Sequence, residues 1–212
     1  MLLGNSDYRA EARKALSFNW MSSALTSLVY FIIIFAVAFV FFCVMPDTTE
    51  DPAMDITQDI LITLVMIPLF WGYLVGFLNL IRGNSISFKC LFTIFRGNDF
   101  KRVFLTMLLS YIYMTLWSLL LVIPGCIKWY SYAMVPYILK DNPDMGYNLA
   151  IEKSMAMMKG HKMQLFLLDL SLIGWGFLAF ITVIGWLWFL PYLYTAHAAM
   201  YENLKEEYEG AE

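Results

Sequence analysis

The chain has 212 residues and a formal charge of -3, with 60% hydrophobic and 15% charged residues, against about 45–50% and about 25% in a soluble domain. One soluble core cannot hide that much apolar surface, so composition alone moves the chain to the integral membrane proteins. There is no basic excess to release counterions from phosphates, which argues against nucleic acid as a partner.

Crossing a hydrocarbon layer of about 30 Å takes about 20 predominantly apolar residues in a helix. Four charge-free runs meet that need: Ala15 to Pro46, Ile60 to Ile81, Val103 to Ile127 and Leu170 to Tyr201. Before the last run, Asp169 alone interrupts the stretch from Met163 to Tyr201, which has room for two crossings with Gly185-Trp186 as the turn. The stretch from Val103 to Leu139 is broken by Pro124-Gly125 and Lys128, and also reads as two. The expectation is an all-α polytopic bundle of one domain with six spans, at about 18–45, 60–81, 103–123, 126–141, 163–182 and 185–201, the fourth being the shortest. Ala36-Val37-Ala38 has the small-x-small form of a signal cleavage site. The apolar stretch before it is too long for a signal core, and it reads as a span.

Lysine and arginine mark the cytoplasmic loops. Thirteen of the fourteen basic residues fall before residue 15, between 82 and 102, between 140 and 162, or in the C-terminal tail; Lys128 is the exception. The loop after the first run carries Asp47, Glu50, Asp51, Asp55 and Asp59 with no basic residue. Both termini are therefore expected in the cytoplasm and that acidic loop outside.

Landmarks recur at nearly fixed spacing in the second half. Arg96-Gly97-Asn98 and Lys159-Gly160-His161 lie 63 residues apart, Val122-Ile123-Pro124 and Val183-Ile184-Gly185 61 apart, and Tyr130-Ser131-Tyr132 and Tyr192-Leu193-Tyr194 62 apart. Phe18-Asn19-Trp20 and Pro68 give the first part of the chain a looser version of the same order. This predicts three hairpin repeats, each preceded by a short amphipathic cytoplasmic helix. Asn142-Pro143 reads as the N-cap and first position of one such helix over Asp144 to Lys159, with Met145, Leu149, Met155 and Met158 toward the lipid or the bundle. Pro68, Pro136 and Pro191 are expected to kink the returning spans.

An ionisable group inside a span is costly and is the default functional candidate. Asp169 stands six residues into the fifth span, about 9 Å deep at 1.5 Å per residue, and His197 stands near the end of the sixth. A contact between Asp169 and His197 is expected, as a hydrogen bond pinning the hairpin or as part of a proton relay. The clasp is the simpler reading, since a lone pair makes no pathway. Lys128, Trp129 and Tyr130 read as interfacial anchors. No catalytic motif, phosphate-binding loop or metal-ligand spacing is present, and Cys43, Cys90 and Cys126 form no CxxC pair. No enzyme activity, cofactor or metal is expected.

Several segments together resemble one known family. They are Arg13-Lys14-Ala15-Leu16 with Asn19-Trp20, Ile123-Pro124-Gly125 with Lys128, Tyr130-Ser131-Tyr132 and Pro136-Tyr137, then Asp141-Asn142-Pro143, Ala150-Ile151, Ser154 and Met158-Lys159-Gly160-His161-Lys162, and last Pro191-Tyr192 with Tyr194-Thr195-Ala196. The chain resembles the bacterial multi-pass membrane family known as domain of unknown function 975, from about Tyr8 to Tyr201, with Phe18 standing where that pattern has glycine. The resemblance implies a protein of the bacterial cytoplasmic membrane and brings no activity or ligand. The functional expectation is a non-enzymatic protein that binds membrane lipids or other membrane proteins, in envelope maintenance or protection. The alternative is a small transporter or channel.

Overall fold

In hydrocarbon a backbone N–H has no water to bond, so the apolar runs have one open solution, the helix. The computed structural model describes residues 3–44, 52–97 and 99–210. Its helices are α1 (Asn5–Leu16), α2 (Trp20–Val44), α3 (Pro52–Ile81), α4 (Thr93–Arg96) following a 3-10 turn at Phe88–Phe92, α5 (Phe100–Leu120), α6 (Val122–Tyr132), α7 (Val135–Asp141), α8 (Tyr147–Met157), α9 (Lys162–Thr182) and α10 (Trp186–Glu209). The protein is an all-α multi-span membrane bundle. Among the described residues four helical segments are long and apolar enough to cross: Trp20–Val44, Ile56–Ile81, Phe100–Leu120 and Lys162–Thr182. The other two expected spans fall on α6 with α7, which are separated by a break at Ala133-Met134, and on α10, whose last turns are charged.

Hydroxyl side chains sit inside these helices without breaking them because they return a hydrogen bond to a carbonyl four residues back. Thr26 donates to Ser22 O at 2.8 Å, Thr106 to Arg102 O at 2.9 Å, Ser131 to Ile127 O at 2.8 Å and Thr195 to Pro191 O at 2.6 Å. All four donors are buried, so the polar atoms face protein rather than lipid.

The helices divide into an inner and an outer set. More than half of the apolar window of α3 is buried, against 6% in α2, 11% in α5 and 22% in α9. One core joins Trp71, Val75 and Leu78 of α3 to Val135, Tyr137 and Ile138 of α7 and to Ala196, Met200, Tyr201 and Leu204 of α10. Trp71 Nε1 donates to Pro136 O at 3.0 Å, and the rings of Tyr137 and Tyr201 stack at 5.1 Å. Around this centre α2, α5 and α9 present apolar side chains outward: Phe35 is 74% exposed, Leu119 85% and Phe180 71%. In a membrane that surface faces lipid.

The short segments pack on the inner helices. The 3-10 turn lies so close to α3 that a Cβ on Gly72 would come within 2.5 Å of Cys90 O, and one on Gly76 within 2.7 Å of Cys90 Sγ. Two glycines one helical turn apart thus set the distance between α3 and the following segment, the usual service of small residues between membrane helices. α1 starts where Asp7 Oδ2 accepts the Gly4 N–H at 2.9 Å, and it packs on α10, where the Tyr8 hydroxyl donates to Asn203 Oδ1 at 2.9 Å.

Three local expectations are corrected. Asn142 is the C-cap of α7 rather than the N-cap of α8, which starts at Tyr147 after Gly146. The Asn142 side chain donates back to Ile138 O at 3.0 Å, which satisfies a carbonyl at a helix end. The turn between α5 and α6 lies at Leu121, so Pro124-Gly125 sits inside the first turn of α6. A proline costs nothing there, because the first N–H groups of a helix have no partner within it. The turn between α9 and α10, expected at Gly185-Trp186, spans 183–185, with its positive φ at Val183 (56°) and Gly185 as the N-cap of α10. What Gly185 supplies is room: a Cβ there would meet Ala179 Cα and Thr182 Oγ1 at 2.6 Å. Of the three prolines, Pro68 and Pro191 lie within continuous helices, and Pro136 begins α7 after the break. Asp47, Glu50 and Asp51 lie outside the described residues.

Candidate functional site

Asp169 on α9 and His197 on α10 face each other across the last hairpin, with Asp169 Oδ1 2.5 Å from His197 Nε2. Their side chains are 27% and 17% exposed. The Tyr194 ring stands edge-on to the imidazole at 6.1 Å, and the phenols of Tyr130 and Tyr194 are both near enough to Asp169 to feel its charge. The carboxylate therefore has an imidazole on one side and phenols from α6 and α10 around it. Such a group can hold one proton in several arrangements. It can equally act as a fixed hydrogen-bonded joint between α6, α9 and α10.

Tyr130 connects this group to a cleft. Its ring meets Phe166 of α9 edge-on at 6.0 Å. On the other side it lines a cleft of about 330 Å³ together with Ser118, Val122, Gly125, Cys126 and Trp129. Gly125 lies so close to α5 that a Cβ would meet Ser118 Oγ at 2.6 Å. Trp129 is 58% exposed beside the cleft. Lys128, on a neighbouring face of α6, places Nζ 5.0 Å from the Trp117 ring centre, 5.8 Å from that of Tyr132 and 3.6 Å from Met155 Sδ of α8. The three consecutive residues Lys128, Trp129 and Tyr130 thus have three separate surroundings: two aromatic rings and a thioether, the cleft, and the acid.

A second polar group was not foreseen from the sequence. Asp141, the last residue of α7, accepts from Arg82 Nη2 at 2.7 Å, Lys205 Nζ at 2.8 Å and the Tyr201 hydroxyl at 2.9 Å. Arg82 also donates through Nε to Glu202 at 2.5 Å. These residues come from just beyond α3, from the end of α7 and from α10, so one carboxylate joins the ends of all three inner helices. The hydrogen bond to Asp141 holds the Lys205 ammonium above its ordinary range. Close by, burial and then the carboxylates of Glu202 and Glu206 raise Glu11 above the usual carboxyl range. The signal that could have found the group is positional, since Arg82 and Glu202 each follow an apolar run directly and Asp141 stands one residue beyond another, after Lys140.

Among the described residues no three His, Cys, Asp or Glu side chains are grouped to hold a metal ion. Cys43 and Cys126 are free and exposed, and Cys90 is free and half-buried.

Residues 119–208 match the model of the family described as "Protein of unknown function (DUF975)". The matched region starts in the last turn of α5 and contains Asp169, His197, Asp141, nearly all of α10 and every residue lining the cleft except Ser118. The resemblance noted from the sequence thus holds over the second half of the chain. No curated protein and no solved structure matches.

Proposed function

We propose that the chain is a non-enzymatic protein of the bacterial cytoplasmic membrane, acting by binding lipids or other membrane proteins in envelope maintenance or protection. It crosses six times as three hairpin repeats, α2 with α3, α5 with α6 and α7, and α9 with α10, and both termini are cytoplasmic. The observation that carries this reading is the division into a tied inner set and an apolar outer set of helices. Three inner helices joined at their ends by Asp141 make a rigid post, and the outgoing helices offer lipid or a neighbouring protein a wide apolar surface.

The order of packing supports the repeat. α5 and α9 are each 21 residues long and start at Phe100 and Lys162, 62 residues apart. Each outgoing helix packs on the returning helix of the unit before it, α5 on α3, α9 on α6 and, closing the ring, α2 on α10. The short segments follow the same cyclic rule, with the 3-10 turn on α2 and α3, α8 on α5 and α7, and α1 on α9 and α10. A chain of unrelated helices has no reason to repeat one neighbour rule three times.

Purification of the tagged protein from its native membrane, with identification of what remains bound, tests the function. Reproducible retention of particular lipids or membrane proteins is the expected result. A second reading, transport, draws on the cleft that Tyr130 links to Asp169. Empty preparations together with a proton-dependent flux in vesicles would establish transport instead. The topology has its own test, in a variant lacking the three native cysteines. Single cysteines at Asn5, Lys89, Lys153 and Glu209 are expected to resist a membrane-impermeant thiol reagent on intact cells, and one at Asp51 to react. Labelling at Lys153 without labelling at Asp51 reverses the orientation.

A further inference from the structure

Four phenylalanine rings follow one another from the segment before α5 onto α5 itself. Phe92 and Phe95 have centroids 6.5 Å apart, Phe95 and Phe100 5.6 Å, and Phe100 and Phe104 5.7 Å with planes within 8° of parallel. Phe92 and Phe95 are exposed, as is Phe88 before them. The inward side of the same segment is already used: Leu91 and Ile94 are buried, and Cys90 is seated against Gly72 and Gly76. The segment therefore has two apolar faces, one fixed to the bundle and one open.

Two cations flank the ladder in sequence. Lys89 and Lys101 are both exposed, and neither takes part in an ion pair among the described residues. The nearby carboxylate of Asp99 is engaged by Arg102 at 3.6 Å. Exposed ammonium groups in the 3-10 turn and at the start of α5, flanking a row of aromatic rings of which Phe92 and Phe95 are exposed and Phe100 and Phe104 half-buried, match the two parts of one class of molecule. The rings suit an acyl chain, and the ammonium groups suit a headgroup with net negative charge.

We propose that the ladder Phe92, Phe95, Phe100 and Phe104, with Lys89 and Lys101, is a binding site for an anionic phospholipid. The acyl chain lies along the rings, and the phosphate-bearing headgroup is held by the lysines. A zwitterionic lipid offers the same chain and phosphate with a positive group added, so the lysines favour the anionic lipid. The site deepens the reading of the chain as a membrane-binding protein by naming a ligand class and a place.

Native mass spectrometry of the detergent-purified full chain, titrated with phosphatidylglycerol or with phosphatidylcholine, tests it. Wild type is expected to retain phosphatidylglycerol preferentially. The Lys89→Gln, Lys101→Gln double variant should lose about fivefold of that preference per lysine. Phe95→Ala, at an exposed position that the fold does not need, should weaken retention of both lipids. Arg13→Gln with Lys14→Gln is the control that removes equal charge elsewhere, and it should retain the wild-type preference. No preference in wild type, an equal loss in the control, or efficient cross-linking between copies through a cysteine at Phe95 would each overturn the proposal. Those results leave any partners found by native purification in place, so failure of this site and failure of the functional reading are distinguishable.

Discussion

Asp141→Ala is expected to lower the stability of the purified protein by about 3 kcal/mol, the lower end of the range for removing one partner from a buried ion pair. The carboxylate side chain is 9% exposed and accepts three hydrogen bonds, two of them from cations. Its loss leaves the Arg82 guanidinium and the Lys205 ammonium near each other with no anion between them. Both cations are more than a quarter exposed, and Arg82 still has Glu202, which is why the cost falls at the lower end. Tyr201→Phe removes one hydroxyl from the same carboxylate and should cost about 1 kcal/mol. Thermal unfolding in detergent measures both, and the ratio is informative. If Asp141→Ala and Tyr201→Phe both melt with wild type, the ionic group is peripheral and the aromatic stack of Tyr201 on Tyr137, which phenylalanine keeps, is left to hold α7 to α10.

The helices α2, α3, α5 and α9 were legible in the sequence because a bilayer imposes one requirement, length without charge, and each run meets it without help from its neighbours. Helix ends were harder. Pro124-Gly125 looked like a turn because glycine and proline usually punctuate the chain, but here it follows the turn, whereas Gly185 closes its own turn as the N-cap of α10. Proline fits the first helical turn at no cost, and both glycines are required where α6 and α10 come back against the helix before them. The start of α8 was misplaced for a related reason: Asn142 can cap a helix from either side, and its bond to Ile138 O is decided by packing that no local pattern encodes.

At the sites, Asp169 and His197 were legible as an expected pair because charge in an apolar run is conspicuous and a hairpin of known length fixes what lies opposite. The Asp141 group was not, because charges at the ends of apolar runs are ordinary. Which of them converge depends on how the helices α3, α7 and α10 assemble. The phenylalanine ladder was hidden by composition, since one more phenylalanine among seventeen carries no signal until the backbone places the rings in order.

Asp169 separates the two functional readings. In the clasp reading its worth is the hydrogen bond to His197, reinforced by the nearby Tyr130 and Tyr194 phenols. Asp169→Asn keeps an acceptor for the imidazole and should unfold with wild type, and Asp169→Leu should lose about 0.6 to 2 kcal/mol, the range for polar contacts between membrane helices. A relay makes a different demand, because an amide keeps the geometry and cannot titrate. Asp169→Asn would then remove function from a folded protein. The measurement pairs detergent thermal stability of both variants with growth of a deletion strain carrying each, challenged with membrane-active peptides. Stability is expected to fall in Asp169→Leu alone, with Asp169→Asn complementing fully. A stable Asp169→Asn protein that fails to complement would remove the clasp reading and, because Tyr130 joins Asp169 to the cleft, would place transport ahead of membrane binding.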